Sequence, residues 1–484
     1  MDCRTSTLVE RRNSLEIITL NKLIMKLNKI LVNSIVATVL SLNLQAKVTM
    51  PAIFTDGMVL QQESKVPIWG STDKKSKPVY VTTSWDNKKY TVQADAQGKF
   101  KLSLETPKFG GPFELTIDDG QKLTLKDVMI GEVWLCSGQS NMDMRMAGRI
   151  ADPVENTLEA SIVAPNQGIR TFNIAITMKG QPQTDCSGSW KHANIETIPD
   201  FSAVAYYFAR KINEVIGMPV GVILASCGGS RLEAWMSPDG VAPFKEDPTV
   251  KYQSALYNGM IAPIAGYGIR GCLWYQGEAN TDAAESYAKL FPAMVTDWRN
   301  IWRQGDFPFY YAQIAPFNYG DKKNSAYLRD VQRKCLDIIP SSGMVCLMDI
   351  GDAHTIHPKE KKQVGERFAY LALGKAYGKK GFPTTGPLYK SMQIEGDKVT
   401  LTFDEIGIGM TSFRQHITDF EIAGEDKKFY PAQVRFGKDF LTLIVSSARV
   451  PKPVAVRYGF KNYVKGTLFN MAGLPASSFR TDEW

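Results

Sequence analysis

From about residue 128 to residue 381 the chain alternates short, continuously apolar runs with amphipathic stretches, and this alternation limits its possible folds more than any other feature. The runs at 132–136, 221–226, 271–275, 309–314 and 344–350 read as strands covered on both faces, because a strand with one face in water would alternate apolar and polar residues. Between them, Ala205, Phe208, Ile212 and Val215 recur at helical spacing before Gly217, and Tyr287 to Trp302 forms a second amphipathic stretch. A parallel α/β sheet is predicted. The flanks follow another period. Strand-like runs separated by turn residues fill 47–127, as in a small β-sandwich, and period-two alternation returns after Pro383 at 399–403, 420–422, 432–434 and 441–445. The expected division is a leader and signal segment over 1–46, a β domain over 47–127, an α/β domain over 128–382 and a β region over 383–484.

The N-terminal segment bears on location. Met25-Lys26-Leu27-Asn28-Lys29 precedes an apolar stretch over 30–44 that ends in Leu44-Gln45-Ala46, the pattern of a secretory signal cut after Ala46. The stretch is too short to span a bilayer comfortably. The expectation is therefore an exported protein, periplasmic or extracellular, with no stable membrane insertion after cleavage. The net charge of +8 includes six basic and three acidic residues within 1–46, so the remainder is only mildly basic and no nucleic-acid partner is expected. Lys359, Lys361 and Lys362, with Glu360 among them, read as a solvated helix face. Cys136, Cys227, Cys272 and Cys346 lie inside apolar runs and read as small core residues, and no cysteine or histidine spacing suggests a metal or other cofactor.

Chemistry is suggested where strands end. Gly138-Gln139-Ser140-Asn141-Met142 follows the first apolar run, so a serine stands where a buried strand must break into a turn. Glycine permits the sharp turn, and backbone amides after the serine can face negative charge that develops beside it. A serine needs a base. Of four histidines, His192, His354, His357 and His416, His357 stands in Ile356-His357-Pro358 between the last apolar run and a helical pattern carrying Val364, Phe368 and Leu371. The proline suits a first helical turn. Open α/β sheets build their sites at the carboxyl ends of strands, so Ser140 and His357 are expected to meet at one rim. Gly228-Gly229-Ser230 and Gln276, Glu278 and Asn280 likewise follow apolar runs.

Taken in order, Gly138-Gln139-Ser140-Asn141-Met142, Gly228-Gly229-Ser230 with Glu233-Ala234-Trp235, Trp274-Tyr275-Gln276-Gly277-Glu278 and Ile356-His357-Pro358 resemble the blocks of the sialate O-acetylesterase family of SGNH hydrolases. Val59-Leu60-Gln61, Pro67-Ile68-Trp69-Gly70, Gly473-Leu474-Pro475 and Phe479-Arg480-Thr481-Asp482 extend the likeness into both flanks. The resemblance implies a flavodoxin-like three-layer domain, flanked by β-sandwich-like regions, that removes acetyl groups from an O-acetylated carbohydrate without a cofactor. Ser140 would be the nucleophile and His357 its base. The backbone amides of Ser140 and Gly229 and the side chain of Gln276, with Asn280 in reserve, would hold the oxyanion. Glu278 would orient neighbours, and Gln139 would support the site or meet substrate. Many relatives in the wider class place an aspartate two or three residues before the histidine, where this chain has Thr355 and His354. Asp352, five residues upstream, is the expected acid, the alternative being a Ser–His dyad. Trp235 and Tyr275 could stack on a sugar or pack within the core, and Arg231 could meet a sialic-acid carboxylate or form a structural salt bridge. The motifs leave acetylated sialic acid, acetylated xylan and a catalytically weak glycan-binding protein as alternatives.

Overall fold

The computed structural model describes residues 48–163, 166–251, 254–320 and 324–484, so the signal segment expected over 1–46 lies outside the described residues. The central sheet contains β1 (Lys122–Gly138), β2 (Asn166–Asn173), β3 (Trp190–Ala193), β4 (Val220–Ser226), β5 (Gly271–Tyr275), β6 (Phe309–Ala312) and β7 (Ser342–Val345). Their spatial order is β7-β6-β5-β1-β4-β2-β3, parallel except for the antiparallel edge strand β3. The order reverses at β1, which has β4 on one side and β5 on the other. β2 was not anticipated, because its sequence mixes Arg170 and Thr171 among apolar residues instead of forming an apolar run. The last strand also stops at Val345, earlier than the apolar run to residue 350 suggested.

The helices relevant to the site are α1 (Ser140–Asp143), α2 (Ala203–Ile216), α3 (Ala284–Trp302), α4 (Ala326–Lys334) and α5 (Lys361–Lys375). α2 begins at a Ser202 cap whose side chain accepts the Ala205 N–H, and ends at Gly217 in the left-handed region. α5 starts at Lys361, so Pro358 lies before it and not in its first turn. Neighbouring side chains of β1 enter opposite cores. Val133 and Leu135 join Trp235, Trp274 and Trp298, whereas Trp134 and Cys136 join Phe208, Val364 and Phe368. Burying each such side chain contributes roughly 1.5–3 kcal/mol, and a strand that does so on both faces has no solvent side. That is why its sequence reads as unbroken apolar residues.

β1 is seventeen residues long and belongs to two regions at once. Its first half pairs with Gly110–Asp118 and Val59–Gln61, and its second half pairs with β4 and β5. The division expected at 127/128 thus falls within one continuous strand. After α5, two four-stranded sheets share a core containing Leu401, Ile422, Leu443, Val456 and Phe479. This region is tied to α4 by the fully buried Arg329. Its guanidinium donates to Ser325 Oγ, Ser478 Oγ and the carbonyls of Gly459, Lys461 and Asn462. All six described cysteines are free thiols.

Candidate active site

At Gly138, the last residue of β1, φ is +137°, and an added Cβ would lie 2.1 Å from the Tyr275 carbonyl oxygen. Only glycine suits this position. The turn is then held from both neighbouring strands, with Gln139 N–H donating to Tyr275 O and Cys227 N–H to Gly138 O, each at 3.0 Å. Gln139 Oε1 accepts from Gly277 N–H and Ala279 N–H at 3.3 Å, binding the first and third sequence blocks together. Ser140 opens α1 beside Gly228, where an added Cβ would come within 3.7 Å of the serine Cβ. Gly229, in the left-handed region, follows. The N–H groups of Ser140 and Gly229 have no acceptor among the described residues.

The base arrives from the far end of the domain. His357 Nε2 lies 2.9 Å from Ser140 Oγ, and its Nδ1 lies 2.9 Å from Asp152 Oδ2. Asp152 sits in a turn after α1, closed by reciprocal backbone bonds with Arg149 of 2.9 and 3.1 Å. Its other oxygen accepts from Thr355 Oγ1 at 2.6 Å, and Thr355 Oγ1 also accepts the His357 N–H at 3.1 Å. The Thr355 hydroxyl holds the Asp152 carboxyl below its ordinary range, against partial burial and with further help from His357. Burial holds His357 below its ordinary 6.5, with Asp152 opposing. An ionised carboxylate can only accept, so neutral His357 carries its proton on Nδ1. Nε2 is left to accept from the Ser140 hydroxyl.

The expected acid is therefore displaced. Asp352 Oδ1 accepts the backbone N–H groups of His354 and Thr355 at 2.7 and 3.3 Å, shaping the loop rather than meeting the imidazole. A short carboxylate closes its own turn at low cost, whereas reaching His357 would mean giving up those bonds. The partner, Asp152, comes from 205 residues upstream of the histidine. Thr355, standing where relatives of the wider class carry acid, grips that acid instead. The only available signal was an aspartate twelve residues past the serine, which no local pattern distinguishes.

Gln276 also differs from expectation. It is fully buried and its Nε2 donates to Ser230 O at 3.1 Å and Asn280 Oδ1 at 2.7 Å, so both amide hydrogens are occupied. Asn280 is buried behind it, donating to Glu233 Oε2. Neither side chain is presented as an oxyanion donor. Arg231 is engaged by Glu233 at 2.7 Å, Asp282 at 2.9 Å and the carbonyls of Ala279 and Thr249. It holds the wall of the site together. Trp235 and Tyr275 are fully enclosed, Trp235 donating to Ser230 Oγ, so neither offers a face to a sugar. Glu278 is buried beside Asn141, with its carboxyl pushed up by desolvation. Lys361, read as solvated, is fully buried as well.

An open α/β sheet with serine, histidine and aspartate in line at the carboxyl edge of its strands has the arrangement of a serine hydrolase. A family model described as carbohydrate esterase, sialic acid-specific acetylesterase, matches residues 130–374, and the chain belongs to that family. It is 26% identical to mouse and 27% identical to human sialate O-acetylesterase. Each match covers 84% of this chain, with 88% of the mouse and 86% of the human protein. A crystal structure of a carbohydrate acetylesterase from Xanthomonas citri superposes with a TM-score of 0.84 at 35% identity, covering 90% of this chain and all of that one. The chain is thus a carbohydrate O-acetylesterase. Among the described residues, no helix is long and apolar enough to cross a membrane.

Proposed function

We propose that the chain hydrolyses O-acetylated carbohydrates through an acetyl-serine intermediate, on an SGNH-type, flavodoxin-like three-layer domain. The observation that carries this reading is the 2.9 Å contact of Ser140 Oγ with His357 Nε2, continued at 2.9 Å to Asp152. Ser140 Oγ attacks the acetyl carbon while its proton passes to His357 Nε2. The oxyanion faces the N–H groups of Ser140 and Gly229. The carbon–oxygen bond to the sugar breaks as His357 returns the proton to the departing hydroxyl. Water then attacks the acetyl-serine, giving its proton to His357; acetate departs and Ser140 recovers its hydrogen. Asp152 holds the tautomer and stabilises the imidazolium in both halves.

The named relatives make acetylated sialic acid the first substrate to try, with acetylated xylan beside it. Because Arg231 is occupied within the wall, recognition of a sialate carboxylate would fall to other groups. Export follows from residues 25–46, and the protein would then work on glycans outside the cytoplasm. The test is acetate release from acetylated sialosides and xylo-oligosaccharides by wild type and Ser140→Ala. A loss on the order of 10⁶-fold in kcat is expected for the variant on every substrate. Acetate release by folded Ser140→Ala at the wild-type rate would refute the mechanism.

A further inference from the structure

Behind the serine turn lies an ammonium group that the esterase mechanism does not use. Lys361, the first residue of α5, is fully buried, and burial pushes it down to about 7. Lysines are almost never enclosed in this way without a partner. Here Nζ donates to Asn141 Oδ1 at 2.5 Å. Asn141 directly follows the nucleophile, and its Nδ2 donates to Glu278 Oε1 at 2.5 Å and to the Ile356 carbonyl at 3.0 Å. Ile356 directly precedes His357. An ammonium can only donate and a carboxylate only accept, so the two together dictate which way round the Asn141 amide sits. With Oδ1 taken by Lys361, the amide nitrogen must face Glu278 and the peptide that carries the base.

We propose that Lys361 is a positioning residue, which with Glu278 locks the Asn141 amide and so holds the Ser140 turn and the His357 loop in register for proton transfer. This rests on the acyl-serine reading above. The charged and titratable groups around Lys361 are Glu278 after β5, Glu360 beside it in sequence, and Asp152 and Arg149 from the turn after α1. The Tyr275 ring of β5 lies 5.9 Å from Nζ, and Tyr319, after β6, interacts with Glu278. Around His357 they are Asp152, Lys361 and Arg149, and the lysine's charge opposes protonation of the imidazole. Removing that charge makes His357 easier to protonate.

The experiment is steady-state hydrolysis of an aryl acetate across pH by Lys361→Met, Glu278→Gln and Glu278→Ala, alongside Ser140→Ala. Lys361→Met is expected to lose about 10- to 100-fold in kcat with KM nearly unchanged, the scale on which small misplacement of reacting groups acts. Its acid limb in kcat/KM should move to higher pH. Glu278→Gln should retain more activity than Glu278→Ala, because its carbonyl oxygen can still accept from Asn141. A merely structural role would reduce thermal stability and active fraction and leave kcat per active site at the wild-type value, whereas the limb reports the lost charge alone. Folded Lys361→Met with wild-type kcat overturns the proposal. If that variant fails to fold with Glu278 left alone, the Lys361→Met/Glu278→Gln double variant removes both buried charges. Wild-type kcat in the double variant overturns it equally. Inactive Ser140→Ala beside normal Lys361→Met sinks only the positioning role, whereas active Ser140→Ala sinks the acyl-serine reading.

Discussion

The seam around Arg329 and the turn around Ser140 are both buried polar assemblies, yet one is saturated and the other is not. Arg329, pushed down to about 10 by burial, spends its guanidinium on five oxygens of the chain. Nothing is left for a ligand, and the cluster can only hold the C-terminal β region against α4. At the serine, the strand ends are pinned by backbone bonds, but the N–H groups of Ser140 and Gly229 have no acceptor among the described residues. Gly229 is exposed, so the pair opens toward solvent and an arriving ligand rather than into the core. Their use comes when negative charge develops on a bound ester. Saturation of hydrogen bonds thus separates this seam from the reactive turn.

The sharpest attempt to break the comparison compares two aspartates. Asp152→Asn should lower kcat by about 10⁴-fold, since an amide would favour the wrong histidine tautomer. Asp352→Asn should stay within a few-fold of wild type, because its carboxylate serves the loop backbone. Equal losses in acetate-release assays would put the orienting acid back in doubt. At the saturated seam the effect should appear in stability instead. Arg329→Met removes a charged donor from several buried acceptors and should lower the unfolding free energy by about 3 kcal/mol or more, read from urea denaturation. The kcat of its folded fraction should be unchanged.

The acid limb of activity gives a smaller, directional test. His357 acts as a neutral base and burial holds it below its ordinary 6.5, so wild-type kcat/KM should fall only as pH drops through a midpoint under that value. Asp152 favours the imidazolium, so Asp152→Asn should move the limb of its residual activity lower still. A midpoint above 6.5 in wild type would contradict the burial seen here. The smallest expected change is Trp235→Phe. Losing the bond to Ser230 Oγ should cost about 1 kcal/mol in stability and leave KM the same for every glycan. A rise in KM confined to one sugar would show that the indole meets substrate after all.

Much of the sheet was legible because its strands are buried on both faces. The runs at 132–136, 221–226 and 271–275 lie within β1, β4 and β5, and the helix before Gly217 ends where its glycine suggested. β2 escaped notice because it mixes Arg170 into its apolar residues. The placing of Ser140 and His357 at one rim could likewise be argued from strands that end just before them. The identity of the acid could not, nor could the burial of Lys361 within a basic tetrapeptide whose other members suggested solvent.

By itself, the order of residues determined the α/β core, its β flanks, and that Ser140 and His357 each stand just past a strand-like run. These properties are local, since period, apolar runs and turn glycines act over a few neighbouring positions. Only the tertiary structure decided that Asp152 rather than Asp352 holds the imidazole, that Gln276 and Arg231 are consumed inside the wall, and that Lys361 lies behind the nucleophile. Hydrogen-bond partners are chosen by proximity in space, and folding sets that proximity across more than two hundred residues of intervening chain.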